Sequence, residues 1–423
     1  MEFNATKERH KIDRRNFLKT VGAAGLGPVL ASTKAISQEK TQKPRPTPVP
    51  KRKLGKTGVN IPCLTLGTAT SNFVQNQIVL RNSLLRGVTC WDTATNYAGG
   101  NSELGIGKYL SKNPKARKKL FIISKPSDIK TPMPDAADIE KHLQTSLKRM
   151  NTGYIDLYLG IHNILGPAQL TNELKEWAQT AKKRKLIRLF GFSTHKNMAQ
   201  CLAAAAKLNW IDAVMTVYNF RLMQDAKMQA SVKACHKAGI GLIAIKTLAA
   251  GIIARWLRQD VKVETEQDKK LIAHFTKKGF TAEQAKIKVA LQDKSFSSVC
   301  VGMGNVTVLN SNVAAVLDKT KLSQADMEVF KEYAAATCSG YCAGCSDICN
   351  AALLETPYVS DIMRYLMYYN SYGQQAEARS LFTQIPTHVK NKLLDMDYTL
   401  AEARCPQRLP IRELIAEAIS VLT

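Results

Sequence analysis

The chain has 423 residues, which is enough for one large domain with an appendage or for two ordinary domains. Hydrophobic residues at 45% and charged residues at 22% are typical of a globular protein and exclude a largely disordered one. The formal net charge is +26, but the sequence has no helix-turn-helix, ribonucleoprotein or zinc-finger pattern, so no nucleic acid partner is predicted. The charge instead favours a surface that attracts anionic substrates or cofactors, or one that is simply solvated.

Residues 1–35 are similar to a twin-arginine export signal. Arg14 and Arg15 precede an apolar, glycine-rich stretch at residues 20–31, and a candidate cleavage point follows at residues 33–35. The apolar stretch is too short to span a bilayer of about 30 Å, and no stable membrane span is predicted elsewhere. The similarity implies the twin-arginine export machinery as a partner and the periplasm as the location of the folded protein. A disordered basic tail on a cytoplasmic protein is the alternative interpretation.

Residues 36–53 form a segment rich in proline and basic residues. Proline favours extended backbone and like charges repel one another, so we expect a solvated linker here. The linker leads from the signal to a more regular sequence that begins at Leu54.

From residue 54 to about residue 320 the sequence alternates short apolar runs with longer amphipathic stretches. Apolar residues recur every three or four positions in stretches such as IEKHLQTSLKRM, which predicts helices. Eight short runs predict strands: IPCLTLG, VTCWDTA, LFIISKP, IDLYLGI, IRLFGFS, AVMTVYN, GLIAIKTL and SSVCVGM. Strict alternation of eight strands with eight helices predicts an α/β fold of the (β/α)8 TIM barrel type, with a doubly wound sheet as the alternative. A long charged stretch at residues 256–280 is predicted as a loop or lid after the seventh strand.

Four polar residues stand at the ends of three consecutive predicted strands. Asp92 and Tyr97 follow the second strand, Lys125 ends the third, and His162 ends the fourth. The carboxyl ends of parallel barrel strands share one rim, where barrel enzymes build their active sites. A phenol beside a lysine and a histidine can act as a general acid at neutral pH. An internal ion pair at the barrel mouth would use only Asp92 and Lys125 and would leave the other two residues without a role.

This set of four residues resembles the catalytic set of the aldo/keto reductases, and the resemblance extends from about Leu54 to about Leu317. It implies hydride transfer between a nicotinamide cofactor and a small carbonyl or alcohol substrate. Tyr97 would supply the proton, Lys125 would stabilise the phenolate, Asp92 would hold Lys125, and His162 would orient the carbonyl. The resemblance also implies that the segment LGKTGVN, just before the first barrel strand, closes the bottom of the barrel as a hairpin.

The same resemblance implies a cofactor site, for which NADP is favoured over NAD. The residues that would contact the cofactor are Ser193, Thr194, Met215, Lys246, Gly302, Gly304 and Asn312. The sequence departs from the family at several of these places, with Thr194 where asparagine is usual and Met215 where glutamine is usual. Ser311 replaces a glutamate, and Val308 stands where an arginine often holds the 2′-phosphate.

Residues 321–423 are predicted to form a mainly helical extension that carries a metal site. Cys338, Cys342, Cys345 and Cys349 lie close in sequence, but in one helix the first and last would be about 16 Å apart, too far for one small cluster. Cys405 precedes a proline, as the last cysteine of ferredoxin ligand runs often does. The predicted ligands are therefore Cys342, Cys345, Cys349 and Cys405, with Cys338 as the alternate.

The segment is similar to the ferredoxin-like C-terminal segment of some family members, which implies an iron–sulfur cluster, with 4Fe-4S favoured. Zinc held by four thiolates is one alternative, and disulfides formed in an oxidising compartment are another. The cluster could be purely structural or could exchange electrons with a redox partner. The function therefore has two further candidates besides a reductase: an electron-transfer iron–sulfur protein and a non-catalytic binding barrel.

The export signal generates a direct prediction. Replacing both Arg14 and Arg15 with lysine should leave the protein folded in the cytoplasm, because the paired guanidinium groups are what the exporter is expected to read. Fractionation of cells that produce the parent and the double variant, followed by immunoblotting, checks this outcome. Periplasmic delivery of the double variant at the parent level would contradict the assignment.

Overall fold

A computed structural model describes residues 46–69, 73–126, 135–250, 265–353 and 358–423. The predicted export signal and the linker up to residue 45 lie outside these residues, as do positions 256–264 of the charged stretch. Within the described ranges, no helix is both long and apolar enough to cross a membrane.

Eight parallel strands close into a barrel, as predicted. A preceding hairpin contributes β1 (Lys51–Lys53) and β2 (Asn60–Pro62). The barrel strands are β3 (Leu64–Gly67), β4 (Cys90–Asp92), β5 (Phe121–Ser124), β6 (Ile155–Ile161), β7 (Ile187–Thr194), β8 (Ala213–Val217), β9 (Gly241–Ile245) and β10 (Phe296–Gly302). Each strand pairs with the next in sequence, and β10 closes the barrel on β3, where Val299 pairs with Leu64. The strands are almost wholly buried because helices cover the outside and side chains fill the inside, so they read as apolar runs rather than as alternating patterns.

Helices follow the strands and continue into the extension. Around the barrel these are α1 (Ile78–Leu85), α2 (Asn101–Lys112), α3 (Ala136–Arg149), α4 (Asn172–Lys183), α5 (Met198–Ala205), α6 (Ala226–Lys237), α7 (Glu266–Thr276), α8 (Ala282–Gln292) and α9 (Val306–Leu317). The extension adds α10 (Gln324–Ala336), α11 (Ser346–Ala352), α12 (Val359–Asn370), α13 (Gln375–Thr383), α14 (Thr387–Lys390), α15 (Thr399–Arg404) and α16 (Ile411–Leu422). Side-chain caps start several of them at sites readable in the sequence, such as Asp135 before α3 and Thr171 before α4.

The charged stretch at residues 256–280 differs from the prediction, because its second half contains helix α7. A capping box between Thr265 and Asp268 starts this helix. Leu271 and Phe275 are buried, and Phe275 packs against Phe330 of α10, so two apolar positions one turn apart fix a helix in a polar sequence.

The hairpin lies at the amino-terminal end of the barrel, in agreement with the resemblance. The amide of Lys56 donates to the carbonyl of Gly239, just before β9 begins, at 2.7 Å. The Arg52 guanidinium donates to the carbonyls of Phe296 and Leu291 at 2.9 and 2.8 Å. Gly55, with φ of +52°, approaches the Gly239–Gly241 backbone so closely that a Cβ would clash with it. The linker predicted to run to residue 53 therefore ends before β1, which belongs to the fold.

The extension is helical, as predicted, and has a core of its own. Ile362 and Leu366 of α12 pack with Phe382 of α13 and Ile415 of α16, and all four are almost fully buried. Helices α12 and α13 carry side chains into the cavity at the carboxyl ends of the barrel strands. The extension therefore completes the part of the barrel where the site is expected.

The barrel register generates a stability prediction. A Cβ at Gly191 on β7 would lie 1.8 Å from the carbonyl oxygen of Ala213, its partner on β8, and this backbone cannot move without opening the strand pair. Gly191→Ala should therefore lower the free energy of unfolding by about 3 kcal/mol. Gly166→Ala is the matched control, because a Cβ there meets no atom within 4 Å, and its effect should stay within about 0.5 kcal/mol. Urea unfolding followed by circular dichroism checks both, and equal midpoints would contradict the register.

Candidate active site

The four predicted catalytic residues line one cavity of about 740 Å³ at the carboxyl end of the barrel. Asp92 is the last residue of β4, and Lys125 follows β5 directly, so two neighbouring strands bring the pair together. The Lys125 ammonium lies 2.5 Å from a carboxylate oxygen of Asp92 and also donates to the carbonyl of Thr93 at 3.0 Å. Both side chains are buried, so the charge of each depends on the other.

Tyr97 reaches the same cavity from a tight turn between β4 and α2. The turn places Ala98 and Gly99 at positive φ, 52° and 63°, which directs the chain back towards the rim. The Lys125 ammonium lies 4.8 Å from the centre of the Tyr97 ring, and the His162 ring lies 6.0 Å from it, nearly edge-on. A phenol, an ammonium and an imidazole therefore converge at one wall of the cavity.

Burial sets the protonation of these groups. It raises the pKa of Tyr97 well above its usual range, and the negative charge of Asp92 adds to the effect, so the phenol holds its proton at neutral pH. Burial, reinforced by the charge of Lys125, lowers the pKa of His162 well below its usual range, so the imidazole is neutral. Burial also raises the pKa of Asp92, against the opposing charge of Lys125. The site therefore presents a protonated phenol as proton donor and a neutral imidazole as hydrogen-bonding partner.

Four of the residues expected to contact a cofactor line this cavity: Ser193, Met215, Lys246 and Gly302. The Ser193 hydroxyl donates to the carbonyl of His162, which ties the end of β7 to the residue that follows β6. Gly302, at the end of β10, has no atom within 4 Å of the position that a Cβ would take. A flat ligand could therefore approach this backbone closely.

The other three expected cofactor residues lie outside the cavity wall. Thr194 is buried and donates its hydroxyl to the carbonyl of Lys196 at 2.8 Å. Gly304 is exposed beyond β10, and Asn312 is buried on α9 with its amide nitrogen lacking a partner among the described groups. These three residues support the rim and the helix behind it rather than the cavity itself.

The extension supplies site residues that the sequence analysis did not identify. Helix α12 and the residues after it bring a polar and aromatic stripe into the cavity, consisting of Asp361, Arg364, Tyr365, Tyr368 and Tyr372. These positions are separated by three, one, three and four residues, which puts them on one face of a helix. That pattern is readable in the segment DIMRYLMYYNSY and would have indicated a polar helix face turned towards a site.

Two contacts attach the extension to the rim. Lys196, after β7, lies 2.6 Å from a carboxylate oxygen of Asp361, and both side chains are largely buried. Asn96, next to Tyr97, donates to Glu377 of α13 at 3.0 Å. The position of α12 and α13 over the cavity is therefore fixed from both sides of the barrel mouth.

The cysteine segment is broken into short pieces rather than forming one helix. Cys338 lies in a single 3₁₀ turn, Gly344 adopts a left-handed conformation with φ of +76°, and α11 begins after Cys345. Burial raises the pKa of Cys342 and Cys345, and the charges of Cys349 and Cys405 raise both further. The four predicted ligands, Cys342, Cys345, Cys349 and Cys405, thus share one neighbourhood.

Cys338, the alternate ligand, lies elsewhere, beside the guanidinium of Arg221. The ten cysteines are free thiols, so no disulfide joins any of them. In the described part of the chain, no group of histidine, cysteine, aspartate and glutamate side chains is already arranged around a point that would hold a metal ion.

The cysteine segment packs directly on the rim of the barrel. The amide of Asn197 donates to the carbonyl of Gly344 at 2.8 Å, and a Cβ on Gly344 would lie 2.4 Å from the carbonyl oxygen of His195. A small cavity of about 40 Å³ between the two is lined by Cys342 and His195, among others. The His195 ring lies 6.1 Å from the His162 ring, so the cysteines adjoin the proposed catalytic groups through two histidines.

Comparisons with known proteins agree with the fold. The sequence profile of the aldo/keto reductase family matches residues 64–335. L-galactose dehydrogenase from Arabidopsis thaliana is 24% identical over 302 residues, which cover 68% of this chain and 93% of that protein. The thermostable aldo-keto reductase Tm1743, whose crystal structure was solved in complex with the inhibitor epalrestat, is 27% identical in sequence and superposes with a TM-score of 0.54. The match covers 67% of this chain and 100% of the Tm1743 chain. The holo form of aldo-keto reductase AKR11C1 from Bacillus halodurans, 18% identical with a TM-score of 0.53, shares the fold over 67% of this chain and 96% of its own length.

Proposed function

The chain belongs to the aldo/keto reductase family, and from this premise we propose that it is a nicotinamide-dependent oxidoreductase that interconverts a small carbonyl compound and its alcohol. The observation that carries the proposal is the convergence of Tyr97, Lys125 and His162 on one wall of a single cavity. A non-catalytic barrel would have no use for a protonated phenol held beside a buried ion pair.

The proposed chemistry follows from which groups of the site are charged and which are neutral. When bound in the cavity, a nicotinamide cofactor would supply the hydride for the carbonyl carbon. The Tyr97 phenol gives its proton to the oxygen as negative charge develops there, and the neutral His162 imidazole donates a hydrogen bond that orients the same oxygen. Lys125 then stabilises the phenolate that remains, which matters because burial alone opposes a charged Tyr97. Asp92 keeps the Lys125 ammonium in position throughout.

For the cofactor, the residues that line the cavity fit a nicotinamide group only in part. Ser193 and Met215, which the resemblance assigns to this group, line the cavity, and Gly302 leaves open space for a close approach. We propose NADP ahead of NAD as the cofactor. The preference for NADP depends on the basic character of the chain. It does not depend on an arginine for the 2′-phosphate, since the exposed Val308 occupies the position where the family often has that arginine.

We further propose that Cys342, Cys345, Cys349 and Cys405 hold an iron–sulfur cluster, with 4Fe-4S favoured and zinc as the alternative. Negative charge at Cys349 and Cys405 raises the pKa of Cys342 and of Cys345, so the four thiolates together would form a soft, mutually repulsive donor set that a cationic centre would neutralise. Export through the twin-arginine machinery would suit such a protein, because that route carries folded proteins with their cofactors in place. A periplasmic redox partner would then be needed if the cluster exchanges electrons.

The proposed mechanism predicts the effect of one hydroxyl group. Tyr97→Phe removes the proton donor with little change in volume, so the fold should persist while kcat for carbonyl reduction falls about 10²- to 10⁴-fold. Lys125→Met should also abolish activity, because the phenolate would lose its stabilising charge. NADPH oxidation measured against a panel of aldehydes, with nicotinamide binding titrated separately, checks both variants.

Cofactor binding should survive in Tyr97→Phe, because this phenol is expected to face the substrate carbonyl. Carbonyl reduction by Tyr97→Phe at the parent rate would overturn the mechanism, and the electron-transfer protein or the binding barrel would replace it.

The proposed cluster predicts the colour and metal content of the protein. Anaerobically purified protein should be brown, with broad visible absorption and about four irons per chain. Cys405→Ser should lose the metal, whereas Cys338→Ser, the matched control beside Arg221, should retain it. Elemental analysis with visible spectroscopy checks this pair. Colourless protein with one zinc per chain would favour zinc over the iron–sulfur cluster. Equal metal loss in both cysteine variants would contradict the assignment of Cys405 rather than Cys338 as a ligand.

A further inference from the structure

Lys246, which the resemblance assigns to the cofactor, and Arg364 are two cations of the cavity wall that have no part in the proposed proton transfer. The Lys246 ammonium lies 4.4 Å from the centre of the Tyr368 ring and 4.5 Å from that of the Tyr372 ring. Arg364, one turn before Tyr368 on α12, also contacts its phenol, and the guanidinium lies 5.9 Å from the ring centre. Lys246 belongs to the barrel rim and Arg364 to the extension, so the docking of the extension is what brings the two cations together.

The carboxylates around the cavity do not balance these charges. Asp92 is used by Lys125, and Asp361 is shared between Lys196 and Arg364 at 2.6 and 3.0 Å. Glu377 accepts from Asn96 at 3.0 Å, and its negative charge also acts on the phenols of Tyr97 and Tyr368. Among the described residues Lys246 forms no ion pair, and the phenol of Tyr368 is its nearest polar partner.

The two cations repel each other in a buried setting. Burial lowers the pKa of Lys246, and the positive charge of Arg364 lowers it further. The same two cations contribute to the low pKa of His162 and of His195. His195 also has a buried Nδ1 atom without a hydrogen-bond partner in the described structure, and its ring borders the cavity. An anion placed between these groups would relieve the repulsion and satisfy the open hydrogen-bonding atom.

We propose that Lys246, Arg364 and Tyr368 form an oxyanion-binding subsite that selects carbonyl substrates carrying a carboxylate or phosphate group. The inference rests on the proposed function, because it assigns the substrate class of the same cavity. Arg364 offers a planar pair of donors, Lys246 offers a point charge, and the Tyr368 hydroxyl lies between them. The reacting carbonyl would lie at Tyr97 and His162, and the charged end of the substrate would point towards α12.

The test compares acids with their neutral methyl esters in the full-length holoenzyme. The probes are 4-carboxybenzaldehyde and succinic semialdehyde, each against its ester. The parent should prefer the acids. The ratio of kcat/KM for acid over ester should fall about 10- to 100-fold in Arg364→Gln and in Lys246→Gln. Arg379→Gln, on the exposed face of α13, is the matched control and should keep the parent ratio.

Lys246→Gln breaks no ion pair of the described structure, so it keeps the test decisive if Arg364→Gln fails to fold. A parent that shows no preference for the acids would overturn the proposal. Variants that raise KM for NADPH and leave the acid-to-ester ratio unchanged would also overturn it, because the cations would then hold the cofactor's phosphates.

A binding measurement separates this proposal from the proposed reaction. Benzene-1,4-dicarboxylate, which has no aldehyde or ketone group to reduce, should bind the Tyr97→Phe variant in a calorimetric titration. The dissociation constant should rise about 10- to 100-fold when Arg364→Gln is added. Equal dissociation constants with and without Arg364→Gln would overturn the subsite, even if the enzyme reduces carbonyl compounds as proposed. Full activity of Tyr97→Phe overturns the mechanism and leaves the titration to decide the subsite.

Discussion

The buried ion pair between Lys125 and Asp92 is the constraint on which the rest of the site depends. Removing two charges from water costs several kcal/mol for each ion, and only close contact with further hydrogen bonds offsets that cost. Neighbouring strands β4 and β5 provide this contact because their register fixes both side chains at the same rim. The ammonium so held lies 4.8 Å from the centre of the Tyr97 ring, where its positive charge favours the phenolate that burial opposes.

The C-terminal extension adds residues of helices α12 and α13 to the wall of the cavity at the barrel mouth. Helix α12 brings Arg364 beside Lys246, while the ion pair of Lys196 with Asp361 anchors the helix to the rim. The loop around Gly344 packs against His195 so closely that only glycine fits there. The barrel rim, helix α12 and the cysteine segment are therefore joined by one contiguous set of contacts.

The sequence predicted what depends on local pattern and on strand order. The eight strands were readable because parallel strands buried on both faces are short apolar runs. The convergence of Asp92, Tyr97, Lys125 and His162 on one cavity was readable because they stand at or near the ends of those runs. Orientation was not readable: Thr194 follows the expected strand, yet its hydroxyl turns to Lys196, because the chain curls there to meet the extension. Spacing alone also left Cys338 as an alternate ligand, and only the fold shows that it lies beside the guanidinium of Arg221.

The central claim is that a hydride passes directly to a carbonyl carbon in this cavity. The most direct measurement reduces an aldehyde with NADPH that carries deuterium at the transferred C4 position, followed by mass spectrometry of the alcohol. The account predicts one deuterium on the carbinol carbon of every product molecule, with the hydroxyl proton drawn from water through Tyr97. A product that carries no deuterium, formed at a rate that depends on the metal, would show that the electrons arrive by another route and would contradict the account.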